Sequence, residues 1–287
     1  MSTVDFGAMQ RFAADIRIET LRCIGNFGSG HVGGAMSIAD VLAALYGGVM
    51  KINPARPDWE ERDWLVISKG HSGPVLYAAL ALKGYFDKGM LATLNLPNTR
   101  LPSHCDRQKT PGVDMTTGSL GQGISTALGV AIGHKWRDRS NRVYCIIGDG
   151  EMQEGQIWEA AQCAAHNKVD NFTLVVDYNK RQLDGAVADV NDVRDIAKKF
   201  EAFGFDARTV KGYDVRSVYD GLMGAKEVRG KPTLVVLDTY KGIGCDFAEQ
   251  QPMNHFMVTS REQVEHAVAE IERRLAAGVF PGGESRC

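Results

Sequence analysis

The sequence predicts an α/β protein with a parallel sheet covered by helices on both faces, a three-layer αβα arrangement. Short β-rich runs recur at residues 64–68, 143–147, 172–177 and 233–238, and helical patterns separate several of them. One of these runs passes directly into a glycine turn and then a helix, as a strand does in an open α/β sheet. With 287 residues and 44% hydrophobic content, the chain can bury one large core, so residues 1–287 are expected to form a single α/β domain.

Taken in order, apolar residues at helical spacing run from about 9 to 24, and a glycine-rich turn, GNFGSGHVGG, leads to a second helix near 38–46. After the strand at 64–68, helices are expected at 125–137, 156–166, 193–203 and 215–228. Residues 206–210 read as a further short strand, and 261–276 as a closing amphipathic helix with its charges on one side. The stretch 240–257 contains glycine, is irregular and is too long for an ordinary connection, which makes it a functional or a mobile loop.

The formal net charge of −2 and pI near 6.4 provide no general attraction to nucleic acid or to an anionic membrane, so any anion must be captured locally. Six cysteines (Cys23, Cys105, Cys145, Cys163, Cys245 and Cys287) are scattered without a C-x-x-C pair and are expected to be reduced thiols. The N-terminus carries an acid early, and no run of about 18 uninterrupted apolar residues occurs. A soluble, cytoplasmic protein is expected.

The apolar run VYCII is followed at once by GDGEMQEG and a helix beginning near Gln156. Such a turn aims backbone N–H groups and the positive end of a helix dipole at one point, where a phosphate can sit. Asp149 places a carboxylate at the same point, and a divalent cation between the two resolves the conflict. Magnesium, which combines one or two protein oxygens with ligand phosphates, suits that position. The next strand, NFTLVVD, ends in Tyr178-Asn179-Lys180-Arg181, about thirty residues after Asp149. Adjacent parallel strands would bring both ends to one crevice, with Asn179 as the second oxygen ligand. GDG alone is equally well a tight β-to-α turn, so the pair at this spacing carries the inference.

With these residues in place, the sequence resembles the thiamine diphosphate enzymes, and GDGEMQEG with VVDYNKRQLDG resembles their transketolase form. Four more segments match transketolases in order: SGHVGGAMSIADVL, SKGHSGPVLYAAL, LPSHCDR with TPGVDMTTGSLGQG, and TYKGIGCDFAEQQPMNH. The resemblance covers about residues 10–257 and implies the thiamine-diphosphate-binding fold. It implies that Asp149, the side-chain oxygen of Asn179 and the backbone carbonyl of Arg181 bind Mg2+, and that the Gly150 amide meets the diphosphate. Gly118, Ser119 and Leu120 would face the rings of the cofactor. His31 and His104 would contact substrate hydroxyls and carbonyl, while His71 and His255 would lie between diphosphate and substrate, work that suits imidazoles near neutral pH. His255 stands in PMNHF, where the family often has a Trp-His-Gly type of sequence. Glu154 would lie at a subunit interface in a network linking two cofactor sites, although an acid at a helix start is also simply favourable. His134, His166 and His266 fall outside the motifs and read as ordinary helix residues.

GSGHVG at residues 28–33 satisfies G-x-G-x-x-G, but a helix precedes it and no acid follows about 20 residues later, so a dinucleotide site is not implied. A whole transketolase also has a pyrimidine-binding domain, which carries the glutamate that activates the cofactor, and a third, C-terminal domain. Both are expected on a partner chain. The resemblance therefore implies the N-terminal subunit of a split transketolase in an α2β2 assembly, moving a two-carbon ketol unit from a ketose, such as a sugar phosphate, to an aldose. Alternatives are a related thiamine diphosphate synthase or acyltransferase subunit, or a non-catalytic regulatory subunit of the same fold. The histidine set argues for a polyhydroxylated sugar.

Overall fold

The computed structural model describes residues 4–279. Five strands form one parallel sheet: β1 (Trp64–Ile67), β2 (Val143–Gly148), β3 (Phe172–Tyr178), β4 (Asp206–Lys211) and β5 (Thr233–Asp238), in the spatial order β1-β2-β3-β5-β4. β2 is buried along its whole length, as expected for a strand covered on both faces, whereas β4, the polar run DARTVK, lies at an edge and is only partly covered. Register pairs Ile67 with Ile146, Gly148 with Asp177 and Asp177 with Leu237. The carboxyl ends of four strands therefore finish near one level, with the chain continuing into loops on the same side.

Residues alternate between the two faces of the sheet with period two, and each face builds its own core. Tyr144, Ile146, Val175, Val235 and Leu237 pack with helices α1 (Phe6–Phe27), α2 (Gly73–Leu82), α6 (Val215–Glu227) and α7 (Arg261–Ala276). Cys145, Ile147, Leu174, Val176 and Leu234 pack with α3 (Gln122–Trp136), α4 (Gly155–His166) and α5 (Ile196–Phe203). Helix starts follow their capping residues: Asp195 accepts from the Lys198 amide, Asp214 from Arg216 and Ser217, and Ser260 with Gln263 forms a capping box on α7.

Three elements differ from the sequence pattern. α2 has no amphipathic period, because the residues from Gly73 to Ala81 are buried on all sides. The helix expected near 38–46 is two short helices, Val32–Met36 and Ala39–Ala44, followed by a π-turn, Leu45–Val49, opened by the Gly47-Gly48 pair. Val32–Val49 is long and apolar enough to cross a membrane by length and composition, but 89% of it is buried inside this fold. The helix expected from 193 starts at Ile196, behind a separate short helix, Val187–Asn191.

The stretch 240–257 is tied down along its length. It holds a short helix, Asp246–Glu249, and ends in Met257–Val258, which pairs antiparallel with Ser29–Gly30. Buried Asn254 donates to the carbonyls of Lys241 (3.0 Å) and Ala248 (2.8 Å), and its own carbonyl accepts from the Gly33 amide at 3.1 Å. Arg17, fully buried and paired with Asp40, donates to the Ile243 carbonyl. A Cβ on Gly33 would stand 2.4 Å from the Asn254 carbonyl oxygen, so glycine is required for this approach. Cys23, Cys105, Cys145, Cys163 and Cys245 are free thiols, and Cys287 lies outside the described residues.

Candidate cofactor and active site

The loops leaving β1, β2, β3 and β5 meet the turn at His31 around a cavity of about 360 Å³ at the carboxyl end of the sheet. His31, His71, His104, Gly118, Leu120, Asp149, Gly150, Glu154, Asn179, Arg181 and His255 all line it. Ser119 does not. Its neighbours Gly118 and Leu120 turn inward, while Ser119 faces an adjoining hydroxyl-rich hollow with Thr116, Thr117 and Thr126.

Asp149 follows the last residue of β2. Its carboxylate accepts the Gly150 amide at 2.8 Å and the Lys180 amide at 2.5 Å, which fixes it between the ends of β2 and β3. Burial, and next the charge of Asp177, push its pKa up to about 7. A carboxylate held in this way is short of positive charge. Asn179 supplies an oxygen beside it, and the orientation of its amide is set by its partners. Nδ2 donates to Asp177 at 2.7 Å, so the other terminal atom is Oδ1, which accepts the Arg181 amide at 3.1 Å. Lys180 between them adopts a left-handed backbone (φ 70°), which is uncommon for a residue with a Cβ. Its side chain is held by Asp238, by the Thr239 carbonyl and over the Tyr240 ring.

Among the described residues, no cluster of three His, Cys, Asp or Glu side chains is placed to hold a metal ion. Asp149, Asn179 Oδ1 and the Arg181 carbonyl nevertheless form a hard-oxygen set on one cavity wall, beside Gly150, where a Cβ would stand 2.8 Å from the Gln182 Cβ. These residues fit an oxygen-preferring dication that completes its shell with phosphate oxygens.

Under this wall lies a layer of charged groups to which the sequence reading gives no role. Asp177, fully buried, accepts from Lys69 Nζ, Ser37 Oγ and Asn179 Nδ2, each at 2.7 Å. Lys69 Nζ also donates to the Gly34 carbonyl at 2.6 Å. Glu151, buried inside the GDGE turn, accepts from Ser68 Oγ and from the amides of Gly121 (2.9 Å) and Gly148 (3.1 Å). It ties together the loops after β1, before α3 and at the end of β2. Lys69 and Lys241 sit inside the SKGH and YKG segments, and that adjacency to motif residues is the one sequence signal they give.

The four histidines form a single cluster around His31, whose ring centroid lies 5.0 Å from His71, 5.2 Å from His255 and 5.8 Å from His104. His71 and His255 are 4.8 Å apart. Burial is the largest cause holding them neutral: His31 is lowered to about 4 and His255 to about 3, His71 falls well below the ordinary range, and His104 moves the same way. At neutral pH they are imidazoles that can both donate and accept hydrogen bonds, without adding positive charge. His134, His166 and His266 do not line the cavity.

Residues 8–271 match the family described as transketolase, thiamine diphosphate binding domain. The chain belongs to the transketolase family. It is 49% identical over 268 residues to the 6-deoxy-6-sulfo-D-fructose transketolase subunit SqwG of Clostridium sp. (strain MSTE9), covering 93% of this chain and 98% of that one. It is 39% identical over 243 residues to an apulose-4-phosphate transketolase subunit of Actinobacillus succinogenes, covering 85% and 88%. The transketolase from Leishmania mexicana superposes with a TM-score of 0.86 at 30% identity, over 96% of this chain and 42% of that chain. The chain thus spans less than half the length of that solved transketolase and nearly the whole length of the two subunits. It is a transketolase-type, N-terminal subunit with the α/β fold that binds thiamine diphosphate. Within this transketolase subunit, Leu120 and Leu183 line the cavity yet remain exposed, Phe256 is half-exposed with its ring 5.1 Å from His31, and Glu154 is also exposed at the cavity.

Proposed function

We propose that this chain is the diphosphate-binding subunit of a two-chain transketolase that moves a two-carbon ketol unit from a ketose to an aldose. The observation that carries the proposal is the juxtaposition of the Asp149, Asn179 and Arg181 oxygen set with four neutral histidines in one cavity. Asp149, Asn179 Oδ1 and the Arg181 carbonyl would hold Mg2+, and the Gly150 amide would meet the diphosphate. Gly118 and Leu120 would flank the cofactor rings. When bound, thiamine diphosphate supplies the carbon nucleophile and electron sink for breaking the C2–C3 bond of the donor. The chain's own residues then bind and orient the sugar: His31 and His104 exchange hydrogen bonds with its hydroxyls and carbonyl, and His71 and His255 bridge between sugar and diphosphate.

Two relatives that align over nearly their full length are named as subunits, which supports a pyrimidine-binding half on a second chain, and we propose that the two chains form an α2β2 assembly. Exposed Leu120, Leu183 and Phe256 at the cavity would be covered by that chain, with Glu154 in the network between subunits. The names of both relatives specify an anionic sugar, and the 49% identity favours a donor ketose with a terminal sulfonate. We place the protein in the cytoplasm, where its scattered cysteines stay reduced.

Calorimetry of thiamine diphosphate with Mg2+ tests the site: Asp149→Ala should abolish metal-dependent binding in the reconstituted complex, and unchanged affinity would sink the assignment. Ketol transfer by the purified chain alone, at a rate typical of whole enzymes, would refute the two-chain reading.

A further inference from the structure

Lys241 is buried beside the cavity, and its ammonium lies 2.9 Å from His255 Nδ1 and 3.2 Å from the Arg181 carbonyl oxygen. We propose that Lys241 is a positioning residue that fixes the tautomer of His255, so that the imidazole presents its single proton at Nε2 and meets a ligand only as a hydrogen-bond donor. An ammonium has three N–H donors and no acceptor, so the nitrogen it touches must carry the lone pair. A neutral imidazole has one proton, which is therefore on Nε2.

Both partners are in the state this requires. Burial, and then the charge of Lys241, lower His255 to about 3, which keeps it neutral. Lys241 Nζ donates at the same time to the Arg181 carbonyl at 3.2 Å, as a donor-only ammonium does. The ammonium is aimed by a backbone that cannot drift easily: the Lys241 carbonyl accepts from Asn254 at 3.0 Å and the Gly242 amide donates to Gly33 at 3.0 Å.

The consequence is a division of labour within the histidine cluster. His255 cannot take up a proton at Nδ1 without displacing Lys241, and its Nε2 already carries one. It therefore suits a phosphate, alkoxide or carbonyl oxygen, and proton acceptance falls to His31, His71 or His104. The significance of this for ketol transfer rests on the reading proposed above, but the tautomer itself does not.

The test is a long-range 1H–15N spectrum of the full chain, labelled with 15N-histidine, at neutral pH without cofactor or partner. His255→Gln identifies the resonances. The expected pattern is an unprotonated Nδ1 and a protonated Nε2 in the wild type and in Lys241→Arg, whose guanidinium also only donates. Lys241→Met should lose this pattern and show Nδ1 protonation or a mixture. A protonated Nδ1 in the wild type, or an unchanged pattern in Lys241→Met, overturns the proposal. Should Lys241→Met not fold, Lys241→Gln, whose amide can accept as well as donate, replaces it as the variant that must lose the pattern. Because no turnover is measured, a failed ketol-transfer assay would refute the proposed function and leave this result standing.

Discussion

Replacing Asp177 by Asn removes the charge on which the floor of the site is built. Its Oδ2 holds Lys69, Ser37 and Asn179, each at 2.7 Å, with no solvent exposure. In the variant the Lys69 ammonium, 3% exposed, keeps the Gly34 carbonyl at 2.6 Å and loses its counter-charge. Stranding one member of a buried pair costs roughly 3–5 kcal/mol. At about 2–4 °C per kcal/mol for a large domain, Tm should fall by roughly 6–20 °C. A local effect accompanies this loss. The Asn179 amide has less reason to keep Nδ2 on residue 177 and Oδ1 on the cavity side, and losing a hydrogen bond to a charged group, about 1.5–3 kcal/mol, should weaken Mg2+-dependent thiamine diphosphate binding by at least about tenfold. Scanning calorimetry reads the first effect and titration calorimetry the second. The double variant Lys69→Met/Asp177→Leu separates them: with neither charge left it should recover much of the stability, yet bind the cofactor no better than Asp177→Asn. A Tm change below about 2 °C in Asp177→Asn, or a double variant less stable than the single, would refute the account.

Further outcomes follow from the same geometry. With Asp149 raised to about 7 by burial and by Asp177, Mg2+ must displace a proton below that pH. Affinity for the Mg2+–thiamine diphosphate pair should fall as pH drops from 8 to 6, and binding heats in buffers of different ionisation enthalpy should show proton release at pH 6 that fades by pH 8. His31 and His255 are neutral in the fold with pKa lowered to about 4 and about 3, so between those values and the unfolded value near 6.5 the unfolded chain binds more protons. Their contribution to stability is full above about 6.5 and is lost on acidification; thermal scans of His31→Gln should show a shallower Tm loss from pH 6.5 to 5. Gly33→Ala would drive a Cβ to 2.4 Å from the Asn254 carbonyl and 2.9 Å from Lys241 Cγ, costing about 1–3 kcal/mol, with faster amide exchange at Gly242 and weaker cofactor binding as the readouts.

What the sequence discloses of this fold and site depends on the range of the interaction. Strands covered on both faces stand out as apolar runs, which is why 233–238 and the core of β2 and β3 coincide with their structural bounds. α2 is hidden by the same burial, since a helix enclosed all round leaves no period to find. Asp149 and Asn179 are legible because each follows a strand, and parallel register delivers both to one edge. Asp177 looks like the last residue of a strand, and only the fold shows that Lys69, 108 positions earlier, pairs with it. Glu151 is concealed by composition: in GDGEMQEG it resembles a solvated helix-start acid, whereas it bonds two distant loops, at Ser68 and Gly121, to its own turn at Gly148. Ser119 shows a local limit of the same reading. Sequence proximity to Gly118 and Leu120 suggests a shared role; Gly118 and Leu120 line the cavity, while Ser119 lines an adjoining hollow to which Gly118 also contributes.

Under the proposed function, the charges around the cavity account for metal and diphosphate binding there together. Asp149 and Asp177 stand against the ammonium groups of Lys69 and Lys241, and the histidines add nothing while burial keeps them neutral. A bare dication entering this balance would sit between two lysines, and a bare diphosphate beside two carboxylates, each a costly encounter in a partly desolvated site. Their complex is nearly neutral and would present each sign to the opposite wall, metal to Asp149 and phosphate oxygens to the Gly150 amide. A site so balanced would reject either component alone more strongly than the pair. On that proposal its selectivity for the pair would come from Asp177, which sets Asn179 and holds Lys69 beneath it without lining the cavity.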